Sequence, residues 1–108
     1  MNVKEISFEL FDWDDGNRDK CQKHGVSIEE IETALMNEAF VILPDLMHSD
    51  EEDRLIATGQ AENGRHLFVV ITMREISGQS RVRPISARYM HEKEVKKYEQ
   101  ARTKITER

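Results

Sequence analysis

The sequence predicts a small α+β domain, with helices packed on an antiparallel sheet in the order β-α-α-β-β-β-α. Three observations carry that expectation. Ile6, Phe8 and Leu10 alternate with polar residues near the start. Two segments with helix-start signatures follow. An Asn-Gly pair at positions 63–64 then separates two strand-like runs, a strong sign of a hairpin.

The elements follow in order. The alternating residues make a half-buried first strand ending near Trp13. Asp14 or Asp15 caps a short helix to Lys23 or His24, and Gly25 supplies the left-handed residue that ends it. Ser27 and Glu30 form a capping box that opens a second helix, striped by Ile28, Ile31, Ala34 and Leu35. A hydrophobic run, Ala39 to Leu43, stops at Pro44 and gives way to a polar loop over Asp45–Asp53. Three strands come next: Arg54–Ala61, Arg65–Arg74 and Arg81–Arg88, with turns at Glu62-Asn63-Gly64 and Ser77-Gly78-Gln79. Leu67 to Ile71 is apolar without alternation, as a strand covered on both faces would be. A final helix over His91–Thr106 carries Val95, Tyr98, Ala101 or Arg102, and Ile105 at helical spacing.

Residues 1–108 read as one domain. The chain is 38% hydrophobic and 34% charged, with five Gly and two Pro, too apolar for disorder and too poor in Gly and Pro for low complexity. Its longest apolar runs fall far short of the roughly 20 residues a membrane helix needs. The opening Met1–Glu5 leads into alternation rather than an apolar leader, so a cytoplasmic protein is expected. The single Cys21 fits that compartment and builds neither a disulfide framework nor a thiolate zinc site. The net charge of −5 is unevenly spread. Residues 1–80 hold 7 Lys/Arg and 17 Asp/Glu, a balance of −10, and residues 81–108 hold 9 and 4, a balance of +5. A basic end of this kind suits an anionic partner, or is simply a solvated helix face.

Candidate chemistry is narrow. His24, His48, His66 and His91 show no metal-ligand spacing, and Cys21 with His24 gives two ligands where a site needs more, so no metal or cofactor is expected. Cys21 reads as a buried thiol and His24 as a surface imidazole. Neither a Gly-rich phosphate loop nor a nucleophile elbow is present. What stands out is a scatter of arginines on the predicted sheet: Arg54, Arg65, Arg74, Arg81, Arg83 and Arg88. Such residues hold phosphates by bidentate hydrogen bonds, or cap strand ends and pair with Asp50–Asp53. Strand alternation sends Arg83 and Arg88 to opposite faces unless a bulge intervenes, and Pro84 marks an edge or a bulge. Beside Gly25, His24 is a side chain able both to take and to give a proton, or an ordinary histidine at a helix C-terminus. Trp13 after a first strand reads as core.

Taken in series, these residues resemble the BrnT family of toxins. The likeness rests on Phe11-Asp12-Trp13-Asp14, Asn17, Lys23-His24-Gly25-Val26-Ser27-Ile28-Glu29-Glu30 and His48 to Arg54. It continues through Gly59, Gly64 to Arg74, Ile85-Ser86-Ala87-Arg88, Glu94 and Tyr98, spanning about residues 8–99. Pro84 stands where an aliphatic residue is more usual, and Ile28 and Ile31 where Phe and Ala are often seen. The resemblance implies a RelE-like fold, RNA cleavage that arrests translation, and a BrnA-like antitoxin that contacts operator DNA on the complex's behalf. Joined to the reading of the residues, it makes His24, Arg65 and Arg88 the catalytic candidates, the arginines clamping phosphate and the histidine carrying the proton. Lys23, Arg74 and Arg54 are expected to bind substrate. The alternative is a non-catalytic RNA- or protein-binding module that keeps only the antitoxin contact.

Overall fold

The structure is a computed structural model that describes residues 3–6, 9–37, 39–42 and 54–106, with the side chains of 9–37, 39 and 54–100. Among the described residues, three helices and a five-stranded antiparallel sheet make up an α+β fold, the class expected. The strands are β1 (Val3–Ile6), β2 (Ala39–Ile42), β3 (Leu55–Gln60), β4 (His66–Ile76) and β5 (Gln79–Tyr89), adjacent in that order. The helices are α1 (Asp15–Gln22), α2 (Ile28–Met36) and α3 (Glu92–Thr106). The run at Ala39–Ile42 is an additional strand, giving β-α-α-β-β-β-β-α. The Asp45–Asp53 loop, Pro44, His48 and Phe8 lie outside the described residues.

The first strand departs from expectation. Val3–Ile6 pairs with β2, whereas Leu10–Asp12 runs parallel to β5 at the sheet's other side. There Asp12 N–H donates to the Val82 carbonyl and Val82 N–H to that of Leu10, each at 2.9 Å. Alternation alone gives one continuous strand; the pairing divides it between two partners.

Both short helices start as their caps dictate. Asp14 accepts from Asn17 N–H and Ser27 from Glu30 N–H, and in each box the third residue returns a bond to the cap. Gly25 at φ +87° ends the first helical segment in the left-handed region. The helices cover the sheet face carrying Leu67, Val69, Ile71, Val82 and Ala87, all buried with Ile31, Ala34 and Leu35. Gly59 makes the closest approach: a Cβ there would lie 2.5 Å from the Ala34 carbonyl oxygen. Across the other face, α3 meets the His66 end, where Tyr98 is buried with its ring 5.5 Å from that of His66.

A β-bulge decides which side chains share that second face. Val70 pairs with Ser86 and Ile71 with Pro84, so Ile85 is the extra residue on β5. Before the bulge Arg83 opposes Thr72; after it Ser86 and Arg88 oppose Val70 and Phe68. The extra residue resets the alternation. Arg83, Ser86 and Arg88 therefore share one face, opposite Val82, Pro84 and Ala87.

Candidate functional site

Lys23, His24 and Gly25 form the link between α1 and α2, closed by Gly25 N–H to the Gln22 carbonyl at 3.1 Å. The turn projects the exposed His24 over the end of β5. There it lines a cavity of about 270 Å³ with Ser86, Ala87 and Arg88 of β5. Ile56 of β3 and Phe68 and Val70 of β4 make its apolar wall, and Glu94 of α3 closes the rim. Two of the three catalytic candidates, His24 and Arg88, thus share one cavity.

Arg88 is held by geometry and charge. Its Nη1 and Nη2 each donate to one Glu94 oxygen at 2.8 Å, and Nη1 also reaches the Tyr89 carbonyl at 3.2 Å. The guanidinium carbon lies 4.8 Å from the centre of the Phe68 ring. Hydrogen bonding from Arg88, helped by the backbone N–H of His91, holds the Glu94 carboxyl down at about 2. Glu94 is therefore an anion already seated on the arginine's fork.

Arg65, the third candidate, stands elsewhere. Its guanidinium carbon is 3.3 Å from the centre of the Tyr89 ring, and the Tyr89 hydroxyl donates to Glu30 Oε2 at 2.7 Å. That hydrogen bond to a carboxylate, with burial, raises the Tyr89 pKa. Burial opposes ionisation of Glu30, but bonds from Tyr89 and Ser27 and the charge of Arg65 hold its carboxyl below the ordinary range. By strand alternation Arg65 lies on the Leu67 side, and Arg88 on the Phe68 side. Two arginines, each beside a carboxylate, thus flank one end of the β4–β5 hairpin on opposite faces.

The remaining candidates are dispersed. Lys23 is exposed beside His24 without lining the cavity. Arg54 precedes β3 and shares the alternation of the cavity residue Ile56. Arg74 opposes Arg81 and lies six residues beyond Phe68, on the order of 20 Å along the strand. Among the arginines left out of the site, Arg83 bonds Asp12 at 3.3 Å and Asp14 at 2.8 Å. Arg81 reaches the Phe11 carbonyl at 3.3 Å. Trp13 packs against the core and donates to Glu32 at 2.9 Å. Cys21 is buried, which pushes its thiol up to about 11 and keeps it protonated. Among the described residues no three His, Cys, Asp or Glu side chains converge as metal ligands.

Phe68, Ser86 and Glu94 were not among the sequence candidates, although each lines the cavity. Phe68 and Ser86 become legible only once the β4–β5 register sets Phe68 opposite Arg88 and Val70 opposite Ser86. Glu94 carried two faint signals, its place in the family likeness and its position three residues after His91 at a helix start.

A family model described as the ribonuclease toxin BrnT of a type II toxin–antitoxin system matches residues 13–94. No curated protein and no solved structure matches the chain.

Proposed function

The chain belongs to the BrnT family of ribonuclease toxins of type II toxin–antitoxin systems, and from that premise we propose that it cleaves RNA at the His24–Arg88 cavity. The observation that carries the reading is the meeting of a proton carrier and a phosphate-binding guanidinium in one cavity, both inside the matched residues. In the proposed step the ribose 2′-oxygen attacks the adjacent phosphorus. A 2′-O–P bond forms and the P–O5′ bond breaks, leaving a 2′,3′-cyclic phosphate and a free 5′-hydroxyl. His24 takes the proton from the 2′-hydroxyl, and water protonates the departing 5′-oxygen. Arg88 neutralises charge on the phosphorane, the larger share of such catalysis. No metal ion is required by this scheme.

Arg65 acts as a second clamp on a neighbouring phosphate, reached where the RNA crosses the strand end between Arg88 and Tyr89. Lys23 and Arg54 bind flanking phosphates, and Arg74 one several nucleotides away. In a cytoplasmic setting the cleavage arrests translation, and a BrnA-like antitoxin neutralises it while contacting operator DNA itself. Among the described residues no helix is long and apolar enough to cross a membrane. The acidic N-terminal part of the chain suits a basic antitoxin segment. Complex dissociation should then rise with salt, and indifference to ionic strength would remove that grip.

The test is regulated expression with and without the neighbouring reading frame, alongside purified protein and RNA in EDTA. Growth arrest relieved by the neighbour, with RNA shortened in EDTA, is expected. Intact RNA from both purified protein and translating ribosomes would overturn the nuclease reading. One observation favours the non-catalytic alternative: Arg88 is already paired with Glu94. That alternative predicts that Arg65→Ala and Arg88→Ala weaken binding while RNA length stays the same throughout.

A further inference from the structure

An arginine that only clamps a phosphate can stand at an open strand position, as Arg74 does. Arg88 instead borders a cavity of about 270 Å³ with an apolar wall. Ligand sites span about 300–1,000 Å³, so this space suits one small planar group rather than a length of strand. Ile56, Phe68 and Val70 supply the wall, from β3 and β4. The polar groups are gathered on the β5 side and the rim. Ser86 lines the same space, and a serine hydroxyl can both donate to and accept from an occupant. Glu94 marks where an anion sits, with both its oxygens 2.8 Å from the guanidinium fork. Carboxylate and phosphate present the same spacing of oxygens to such a fork. The contact of Arg88 with the Phe68 ring ties the anion position to the apolar wall.

We propose that the cavity is a single-nucleotide subsite: a base turned out of the RNA lies against Phe68, Ser86 bonds its edge, and its phosphate displaces Glu94 from Arg88. Unstacked bases on aromatic side chains are the usual currency of single-strand RNA recognition. The inference rests on the RNA-cleaving reading and adds a base preference at the nucleotide held in the cavity.

Two substitutions move binding in opposite directions. Glu94→Gln keeps the side chain's size and the carbonyl oxygen that accepts from His91 N–H, so the start of α3 is retained. It removes the charge that competes with phosphate. Phe68→Leu fills the strand position without a ring. Isotope-labelled protein, its fold checked by its amide spectrum, is titrated with each of the four nucleoside 3′-monophosphates and with inorganic phosphate. In parallel, a randomised RNA is cut and its ends sequenced. The wild-type protein should favour one nucleotide over the others by about threefold or more, with shifts at Phe68 and Ser86. Glu94→Gln should tighten that nucleotide by about two- to fivefold. Phe68→Leu should weaken it by about fivefold and flatten the cleavage preference.

Equal binding of all four nucleotides and of phosphate would overturn the subsite, as would a Glu94→Gln protein that binds no tighter. RNA cut without base preference, unchanged in Phe68→Leu, would remove the subsite and leave the nuclease standing. Selective nucleotide binding by a protein that leaves RNA whole would do the reverse.

Discussion

Arg83 and Arg88 lie five residues apart on one strand, share a face because of one bulge, and both meet carboxylates, yet their surroundings differ. Arg83 is held by two anions, Asp12 and Asp14, and only 16% of its side chain is exposed. Those anions belong to the segment that runs beside β5 and to the cap of α1, so the pair fastens the N-terminal segment to the sheet. Hydrogen bonding from Asn17 N–H and then from Arg83 lowers the Asp14 pKa, which fits its two roles. Arg88 has one anion, Glu94, is 42% exposed, and faces a cavity that also receives His24. A count of guanidinium groups does not separate the two. What separates them is whether the partner is locked into the fold on both sides, and whether open space adjoins the charge.

The difference can be broken or sharpened by substitution. The largest effect belongs to Arg88→Ala, which should lower RNA cleavage by about 10²–10³-fold. Its exposed pair contributes little to folding, so unfolding free energy should change by less than about 1 kcal/mol. Arg83→Ala should show the converse. Removing the arginine strands the part-buried Asp12 beside the exposed Asp14 and unfastens the N-terminal segment from β5. The unfolding midpoint should fall by more than in Arg88→Ala, with cleavage per folded molecule unchanged. Equal loss of activity in both variants, without loss of stability in either, would erase the distinction.

Asn17→Ala probes the same fastening from its other side. The Asn17 amide donates to the Asp12 and Pro84 carbonyls at 2.9 Å, and its oxygen accepts from Asp14 N–H at 2.7 Å. Losing these buried bonds should cost about 1.5 kcal/mol by denaturant titration. Combined with Arg83→Ala the loss should be less than the sum, because the two share Asp12 and Asp14. The smallest effect is that of pH on Glu94. Its folded pKa, about 2, lies below the ordinary 4.5, so its pairing supports folding above pH 4.5. That contribution is lost as pH falls from 4.5 through 2. A Glu94→Gln protein should lack this part of the acid titration, seen as a shallower decline of stability over that window.

The caps made the two short helices legible: Asp14 or Asp15 ahead of the first, and Ser27 with Glu30 ahead of the second. These are signals carried by side chains close in sequence, and Asp14 with Asn17 resolves the first. The Asn-Gly turn likewise announced the β3–β4 hairpin. The first strand misled because alternation records burial but not partner, and Val3–Ile6 and Leu10–Asp12 found different neighbours. At the site, His24 was legible from its place beside Gly25, and Arg88 from the arginine scatter with the family likeness. Their common cavity was not, because it forms only where the α1–α2 link packs beside the end of β5. Nor was the shared face of Arg83 and Arg88, since Pro84 hinted at a bulge without fixing Ile85 as the extra residue. Arg65 was grouped with Arg88 by residue type, and only strand alternation together with Tyr89 separates them.

The decisive measurement is the chemistry of the ends left on a labelled RNA by purified protein in EDTA. The wild-type and Arg83→Ala proteins should both yield fragments ending in 2′,3′-cyclic phosphate, while folded His24→Ala and Arg88→Ala proteins leave the RNA at full length. Unchanged fragments from those last two variants would place the cutting somewhere other than this cavity.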